Sequence, residues 1–343
     1  MIPLMISLSP RELHALHHSL LHWYDAHRRD LPWRRDADPY RVWVSEIMLQ
    51  QTRVAAVLDH YARFMKRFPN VQALAAAREQ SVLAVWSGLG YYHRARRLHQ
   101  AAKVIARERH GEFPRTAEAW SELPGIGPYT AAAIASIAFG EPVAVVDGNV
   151  ERVLERLFGR SEGRESTWQR AESLLDRARP GDFNQAMMEL GATICTPRAP
   201  QCPLCPLHEW CQSRGADAPA PQPKRKRKQL HYAFARRGNS VLLVQRAADA
   251  SKMAKMWELP ETDTVNPTKE VLAKFRHSIT DTDYEVSVLP APAALLRSLH
   301  RNARWFTRKQ WQKLALTGLA RKVLRKLAGE SPSPAKESNK HEK

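Results

Sequence analysis

All four cysteines of this chain fall between residues 195 and 211, in the segment CTPRAPQCPLCPLHEWC, with six, two and five residues between successive thiols. No other feature restricts the fold as tightly, because Cys195, Cys202, Cys205 and Cys211 share a single compact loop. Clustered thiols in an intracellular chain bind metal more often than they pair as disulfides. Zinc sites usually set their sulfur ligands as two C-x-x-C pairs, whereas this loop offers one pair and two outliers, and a 4Fe-4S cluster suits it better. Zinc and disulfides remain the alternatives. Prolines and Arg198 stiffen the loop and make it a phosphate contact as well, so the cluster is expected to be structural rather than redox-catalytic.

Length sets the number of cores. At 343 residues the chain exceeds what one hydrophobic core usually supports, which predicts two or three domains. Lys and Arg number 53 against 35 Asp and Glu, a net charge of +18, which favours a polyanionic partner, nucleic acid before an anionic membrane surface. The opening residues MIPLMISLSP carry no charge ahead of Arg11, unlike a secretory signal, and no apolar run reaches the ~18 residues of a membrane span. A soluble, intracellular protein with no membrane partner is expected.

From residue 9 to 190 apolar residues recur at helical spacing, as in ELHALHHSLLHWY, YRVWVSEIMLQQTRVAAVLDHYARF and ERVLERLF, with Pro and Gly at short joints. This half reads as all-α. His14, His18 and His22 share a helical face at i, i+4 spacing; with no acid or thiol to accompany them, they read as a solvated face rather than a metal site. After Cys211, GADAPAPQPKRKRKQ is rich in Pro and Ala and runs into five basic residues, Lys224 to Lys228, which predicts an extended linker over residues 216–229. Residues 230–328 read as a small α+β domain. HYAFARRGNSVLLVQR predicts a hairpin turning at Gly238-Asn239, YEVSVL alternates with period two, and RKQWQKLALTGLARKVLRKL predicts a basic helix. The polar residues 329–343 are expected to be disordered.

Residues 123–130 read LPGIGPYT and lead into an Ala-rich helix. Gly125 and Gly127 let backbone N–H groups approach a phosphate, and the next helix begins with its positive dipole end nearby, as in the hairpin of a helix-hairpin-helix element. Such a turn grips a nucleic-acid backbone without reading its sequence. Two carboxylates stand out beside it. Glu46 lies in VWVSEIMLQQT with apolar neighbours on both sides, where desolvation would raise its pKa and keep a proton available. Asp147, in VVDGNVERVL, precedes a helix, where backbone donors favour its charged form. An acid and an anion are the division of labour expected of glycosidic-bond cleavage. The plainer alternatives are a helix cap for Asp147 and a surface acid for Glu46.

Taken together, LPWRRDADPYRVWVSEIMLQQTRV, WSGLGYYHRARRLHQAA, LPGIGPYT, VDGNVERVL and MMELGATICTPRAPQCPLCP closely resemble the MutY-type adenine DNA glycosylases of the endonuclease III superfamily, from about residue 20 to 212. The resemblance implies an all-α helix-hairpin-helix glycosylase domain over residues 1–215, the cluster loop 195–211 included. It implies excision of adenine mispaired with 8-oxoguanine or guanine in double-stranded DNA, by a monomer located in the bacterial cytoplasm and drawn to the nucleoid by DNA. By the same resemblance Glu46 protonates adenine at N7, Asp147 stabilises the cationic sugar, and Tyr129 and Asn149 stand beside them. Trp33, Arg34 and Glu189 would line the pocket of the extruded base, while Gln51, Leu89 and Tyr91 would enter the duplex at the emptied position and against the opposite base. Core packing is the alternative for Leu89 and Tyr91.

MWELPE and WFTRKQWQKLALTGLARKVL are similar to the C-terminal domain of the same family, itself similar to Nudix hydrolases. No G-x5-E-x7-R-E-x-x-E-E-x-G box follows the first strands, so lesion recognition rather than pyrophosphate hydrolysis is implied. Family members often carry Phe-Ser-His in the loop that examines 8-oxoguanine. Aligning FRHSITDTDYEV on it places Ile279, Thr280 and Asp281 there, with His277 and Thr280 as candidate base contacts and a carboxylate where an imidazole is usual. A bifunctional lyase like endonuclease III is the rival enzyme; it needs an amine nucleophile, and Tyr129 stands where that class carries lysine. A non-catalytic iron–sulfur DNA-binding protein is the rival outside enzymes, and it would not need both Glu46 and Asp147.

Overall fold

Ser9 opens the first helix with a reciprocal cap: the Glu12 amide donates to its hydroxyl, and the Ser9 amide donates to Glu12 Oε2 at 2.8 Å. The computed structural model describes residues 8–159, 163–215, 225–250, 253–262, 271–279, 281–298 and 302–327. Thr280, residues 216–224 of the expected linker and the expected tail 329–343 lie outside the described residues. Up to residue 215 the regular structure is helical, as the sequence predicts: α1 Pro10–His27, α2 Pro39–Leu49, α3 Val54–Arg67, α4 Val71–Ala75, α5 Glu79–Trp86, α6 Tyr92–Glu108, α7 Ala117–Ser121, α8 Pro128–Phe139, α9 Gly148–Phe158, α10 Arg164–Leu174 and α11 Pro180–Thr193. No described helix is long and apolar enough to cross a membrane.

Contacts divide the chain into two compact units, Met1–Ala76 with Arg97–Gln222, and Ala77–Arg96 with Pro223–Lys343. In the first unit, α1 turns Leu16, Leu20, Leu21 and Tyr24 inward against Val150, Val153, Leu154 and Leu157 of α9 and Phe183, Ala186, Met187 and Leu190 of α11. Each of these side chains is at least nine-tenths buried, and burying one such aliphatic side chain contributes about 1.5–3 kcal/mol. Leu207 joins the same core and pins the cysteine loop to α9 and α11. His14, His18 and His22 are exposed on the opposite face of α1, in keeping with a solvated face.

The second unit holds a sheet-containing region. Strand β1, Lys226–Phe234, begins inside the stretch expected to be linker and pairs in parallel with β6, Thr282–Pro290, which in turn pairs antiparallel with β5, Ala273–Ile279. An edge strand tolerates Lys226, Arg227 and Lys228 because their charges face solvent and discourage further pairing. The hairpin forms where the sequence places it: Arg237 of β2, Arg236–Arg237, opposes Ser240 of β3, Ser240–Gln245, and Gly238 at φ 56° supplies the left-handed turn residue. β3 also pairs with β4, Trp257–Glu258, and with β7, Ala303–Thr307. After α12, Ala293–Ser298, the single basic helix predicted over 308–327 is two helices, α13 Arg308–Trp311 and α14 Gly318–Leu327. The break has a cause. Residues 315–317 run alongside β4, with Trp257 N donating to Ala315 O and Thr317 N to Trp257 O, which an uninterrupted helix could not allow.

Candidate active site

Asp38 caps α2 by accepting from the Arg41 amide at 2.9 Å, and the helix that follows is buried along most of its length. Glu46 sits near its C-terminal end at 6 % exposure, which disposes of a surface acid. Burial pushes its carboxyl up to about 7 against the Tyr129 hydrogen bond, with the Asp147 charge adding to the rise and Arg34 opposing it. Tyr129 donates its hydroxyl to Glu46 Oε2 at 2.8 Å, with Met188 Sδ at 3.4 Å on its other side. Burial, then the charges of Glu46 and Asp147, raise this phenol well above its ordinary value, so it stays a donor.

Asp147 is the helix cap that the plainer reading expects, and it faces the same cavity as Glu46. Its Oδ1 accepts from the Asn149 and Val150 amides at 2.9 and 2.8 Å, and Oδ2 accepts from Asn149 Nδ2 at 2.9 Å. The Asn149 amide is oriented in turn by Arg152, whose Nη2 donates to Asn149 Oδ1 at 2.9 Å and to Gly191 O at 2.7 Å, while its Nε reaches Cys195 O at 2.9 Å. A glycine is required at 191, since an added Cβ would stand 2.7 Å from Asn149 Cβ. Arg152 is not singled out by the sequence; its position one helical turn beyond Asn149 was the available signal.

Glu189, 1 % exposed on α11, takes a fork from Arg29 (Nε to Oε1 2.6 Å, Nη2 to Oε2 2.8 Å) and a third bond from Arg34 Nη2 at 2.9 Å. Burial pushes its carboxyl up, but the two guanidinium groups outweigh that and hold it below its ordinary range. Arg29 is the second residue the sequence did not single out. Trp33, buried edge-on against Tyr61, completes this wall. Trp33, Arg34, Glu46, Tyr129, Asp147, Asn149 and Glu189, drawn from distant parts of the sequence, thus line one cavity of about 530 Å³. That volume falls within the range of small-molecule sites.

Gln51 is exposed at the turn after α2 with φ 52°, a strained left-handed conformation for a non-glycine residue, and its neighbours Leu49, Thr52 and Arg53 line the cavity. Gly125 and Gly127 are exposed ahead of α8; Gly125 has φ 81° and would bring a Cβ within 2.4 Å of Arg97 Cβ, whereas open space fronts Gly127. Leu89 and Tyr91 belong to the second unit and are not among the residues lining the Glu46 cavity. Leu89 is buried and Tyr91 half-buried. His277 lies half-buried on β5, where burial and then the Lys322 charge hold its imidazole below its ordinary value. Ile279 pairs with Thr282, and Asp281 lies 3.4 Å from Lys226 Nζ.

Cys195, Cys202, Cys205 and Cys211 are half-buried, none in a disulfide, around one small cavity of about 20 Å³ that Arg156 and His208 also line. Among the described residues, no three His, Cys, Asp or Glu are arranged to hold a single metal ion. Four thiols round one shared cavity are a donor set that suits a metal group of either kind. Donors to sulfur are present: Arg156 Nη1 lies 3.3 Å from Cys195 Sγ and the Arg214 amide 3.4 Å from Cys211 Sγ. A Cβ on Gly215 would come within 3.0 Å of Cys202 Sγ, so the loop closes tightly over its thiols.

Residues 44–178 match the family described as HhH-GPD superfamily base excision DNA repair protein, a span that includes Glu46, Tyr129, Asp147 and Asn149. A solved thermostable thymine-DNA glycosylase is similar in fold, with a TM-score of 0.56 and 30% identity, over 60% of this chain and 98% of that one. A helix-hairpin-helix glycosylase fold with a separate sheet-containing C-terminal region is therefore the class. Human adenine DNA glycosylase is 51% identical over 218 residues, covering 59% of this chain and 40% of the human protein. The Mycobacterium tuberculosis adenine DNA glycosylase is 41% identical over 239 residues, covering 67% of this chain and 78% of that protein. The chain belongs to the adenine DNA glycosylase family. It spans about two fifths of the length of its mammalian relatives.

Proposed function

We propose that the chain is a monofunctional DNA glycosylase that hydrolyses the N-glycosidic bond of adenine mispaired with 8-oxoguanine or guanine. The observation that carries this is the pair of carboxyls on one cavity, Glu46 raised to about 7 and touched by a protonated phenol, Asp147 surrounded by three N–H donors. In this reading Glu46 gives its proton to adenine N7 as the bond to the sugar lengthens, and Asp147 stabilises the cationic sugar until water adds. Trp33, Arg34 and Glu189 hold the extruded base, and the backbone at Gly125 and Gly127 holds a phosphate. The relatives' shared name supports adenine as the base and DNA as the partner. A phenol at Tyr129 is a poor nucleophile, which leaves the abasic strand intact.

Cys195, Cys202, Cys205 and Cys211 would hold a 4Fe-4S cluster, which when bound supplies a covalent cross-link within the loop 195–211. The residues 230–328 would act as a Nudix-like lesion-recognition domain, with His277 and Thr280 as candidate contacts to the base opposite adenine. Glu46→Gln tests the reading: mismatch binding should persist while excision falls by several orders of magnitude. Retained excision would remove Glu46 from the chemistry.

A further inference from the structure

Between α5 and α6 the chain runs WSGLGYY, residues 86–92, within the second compact unit. Gly88 and Gly90 have φ of 106° and 80°, which glycine adopts freely, whereas Tyr91 at 47° holds a left-handed conformation that a non-glycine residue seldom takes. The fixings of the loop converge on one point of the C-terminal region. Ser87, 4 % exposed, donates its hydroxyl to Leu316 O at 2.6 Å and accepts from Arg321 Nε at 3.0 Å. Tyr92 donates its hydroxyl to the same carbonyl at 3.3 Å and accepts from the Gly88 amide at 3.4 Å. Leu316 is fully buried and bridged to Trp257 of β4, so the anchor is itself fixed. At the far end of the loop, Trp86 Nε1 and Arg94 Nη2 donate to Gly90 O at 3.0 and 3.4 Å, and the Arg94 guanidinium lies 5.1 Å from the centre of the Tyr91 ring.

We infer that Ser87, Tyr92 and Arg321 are positioning residues, through which the C-terminal region sets the shape of the loop bearing Leu89 and Tyr91 and so governs opening of the mismatched pair rather than bond cleavage. The inference rests on the proposed function for the role of the loop, and on the hydrogen bonds alone for the clamp. A glycine-rich loop released from its anchor spreads over other conformations, and the fraction able to enter a duplex falls in proportion. Nothing in the clamp supplies a proton or a charge to the sugar. Its loss should therefore be felt only where a base pair has to be broken.

The test uses the full chain with Ser87→Ala, Arg321→Ala and the double variant. Amide hydrogen exchange across residues 87–92 should quicken about tenfold in Ser87→Ala, which removes both bonds, and less in Arg321→Ala, which removes one, and the double variant should go no further than Ser87→Ala alone. Single-turnover excision should fall about tenfold on a duplex with adenine opposite guanine, yet stay within about twofold of wild type where the opposite strand has an abasic position and no pair has to be broken. Equal losses on both duplexes, or exchange unchanged in both single variants, would overturn the inference. A wild-type chain inactive on both duplexes would overturn the proposed function instead, and the exchange result would then decide the clamp by itself.

Discussion

Glu46→Gln should make the protein more stable as it destroys the activity, and the gain should depend on pH. The carboxyl is 6 % exposed and raised from 4.5 to about 7 by burial above all. At about 1.4 kcal/mol per pKa step, holding it ionised in the cavity costs about 3 kcal/mol relative to the unfolded chain. Below pH 4.5 both states carry the neutral acid and the cost vanishes. Between 4.5 and about 7 the unfolded chain loses its proton while the folded one keeps it, so stability falls as pH rises; above 7 the full cost applies. Glutamine has no proton to lose, and its carbonyl can accept from Tyr129 as Glu46 Oε2 does now. Urea unfolding at pH 5, 6, 7 and 8 should show the variant ahead of wild type by under about 1 kcal/mol at pH 5 and by about 3 kcal/mol at pH 8. A variant no more stable than wild type at pH 8 would refute the raised pKa, and with it the reserve of protons that the proposed chemistry needs.

Asp147→Asn keeps an oxygen to cap α9 but removes the charge, so excision should drop by orders of magnitude with little change in melting temperature; near-normal single-turnover rates would take Asp147 out of the chemistry. Glu189→Ala removes the buried carboxylate shared by Arg34 and the partly exposed Arg29 and should cost about 1–3 kcal/mol, read by denaturant unfolding; no loss would mean that these bonds contribute nothing to the fold. Cys202→Ser should lose iron from about four per chain, together with visible absorption and DNA affinity; stoichiometric zinc in the wild type would rule the cluster out. Tyr129→Lys puts an amine beside Glu46, and borohydride should trap it on an adenine mismatch while wild type gives no trapped complex; a variant that melts early and traps nothing would assign Tyr129 to packing alone.

The burial of Glu46 and the capping place of Asp147 were legible because each depends on local sequence: Glu46 on a mostly apolar helix, Asp147 on its position ahead of α9. The cysteine loop was legible from spacing alone. Arg29 and Arg152 were not, since a chain with 53 Lys and Arg offers no local sign of which guanidinium will meet a partner some 40 or 160 positions away. The segment 77–96 reads as one more helical stretch of the first half, yet its hydrogen bonds run to Leu316 and Arg321, and pairing over such a separation leaves no trace in periodicity. Lys226–Gln229 reads as linker for a related reason. A strand whose early side chains are all charged and exposed shows no alternation, and only its register against Thr282–Glu285 reveals it. The break in the basic helix was not legible, because the bonds that tie residues 315–317 to Trp257 leave no local sign.

The most direct test is single-turnover digestion of duplexes carrying adenine opposite 8-oxoguanine, guanine, cytosine and thymine, with free adenine and strand breaks counted separately. Adenine should be released from the first two, the abasic strand should stay whole until alkali is added, and the rate should fall as pH rises past about 7, where Glu46 gives up its proton. Strand cleavage without alkali, or adenine left in place opposite both purines, would contradict the proposed function.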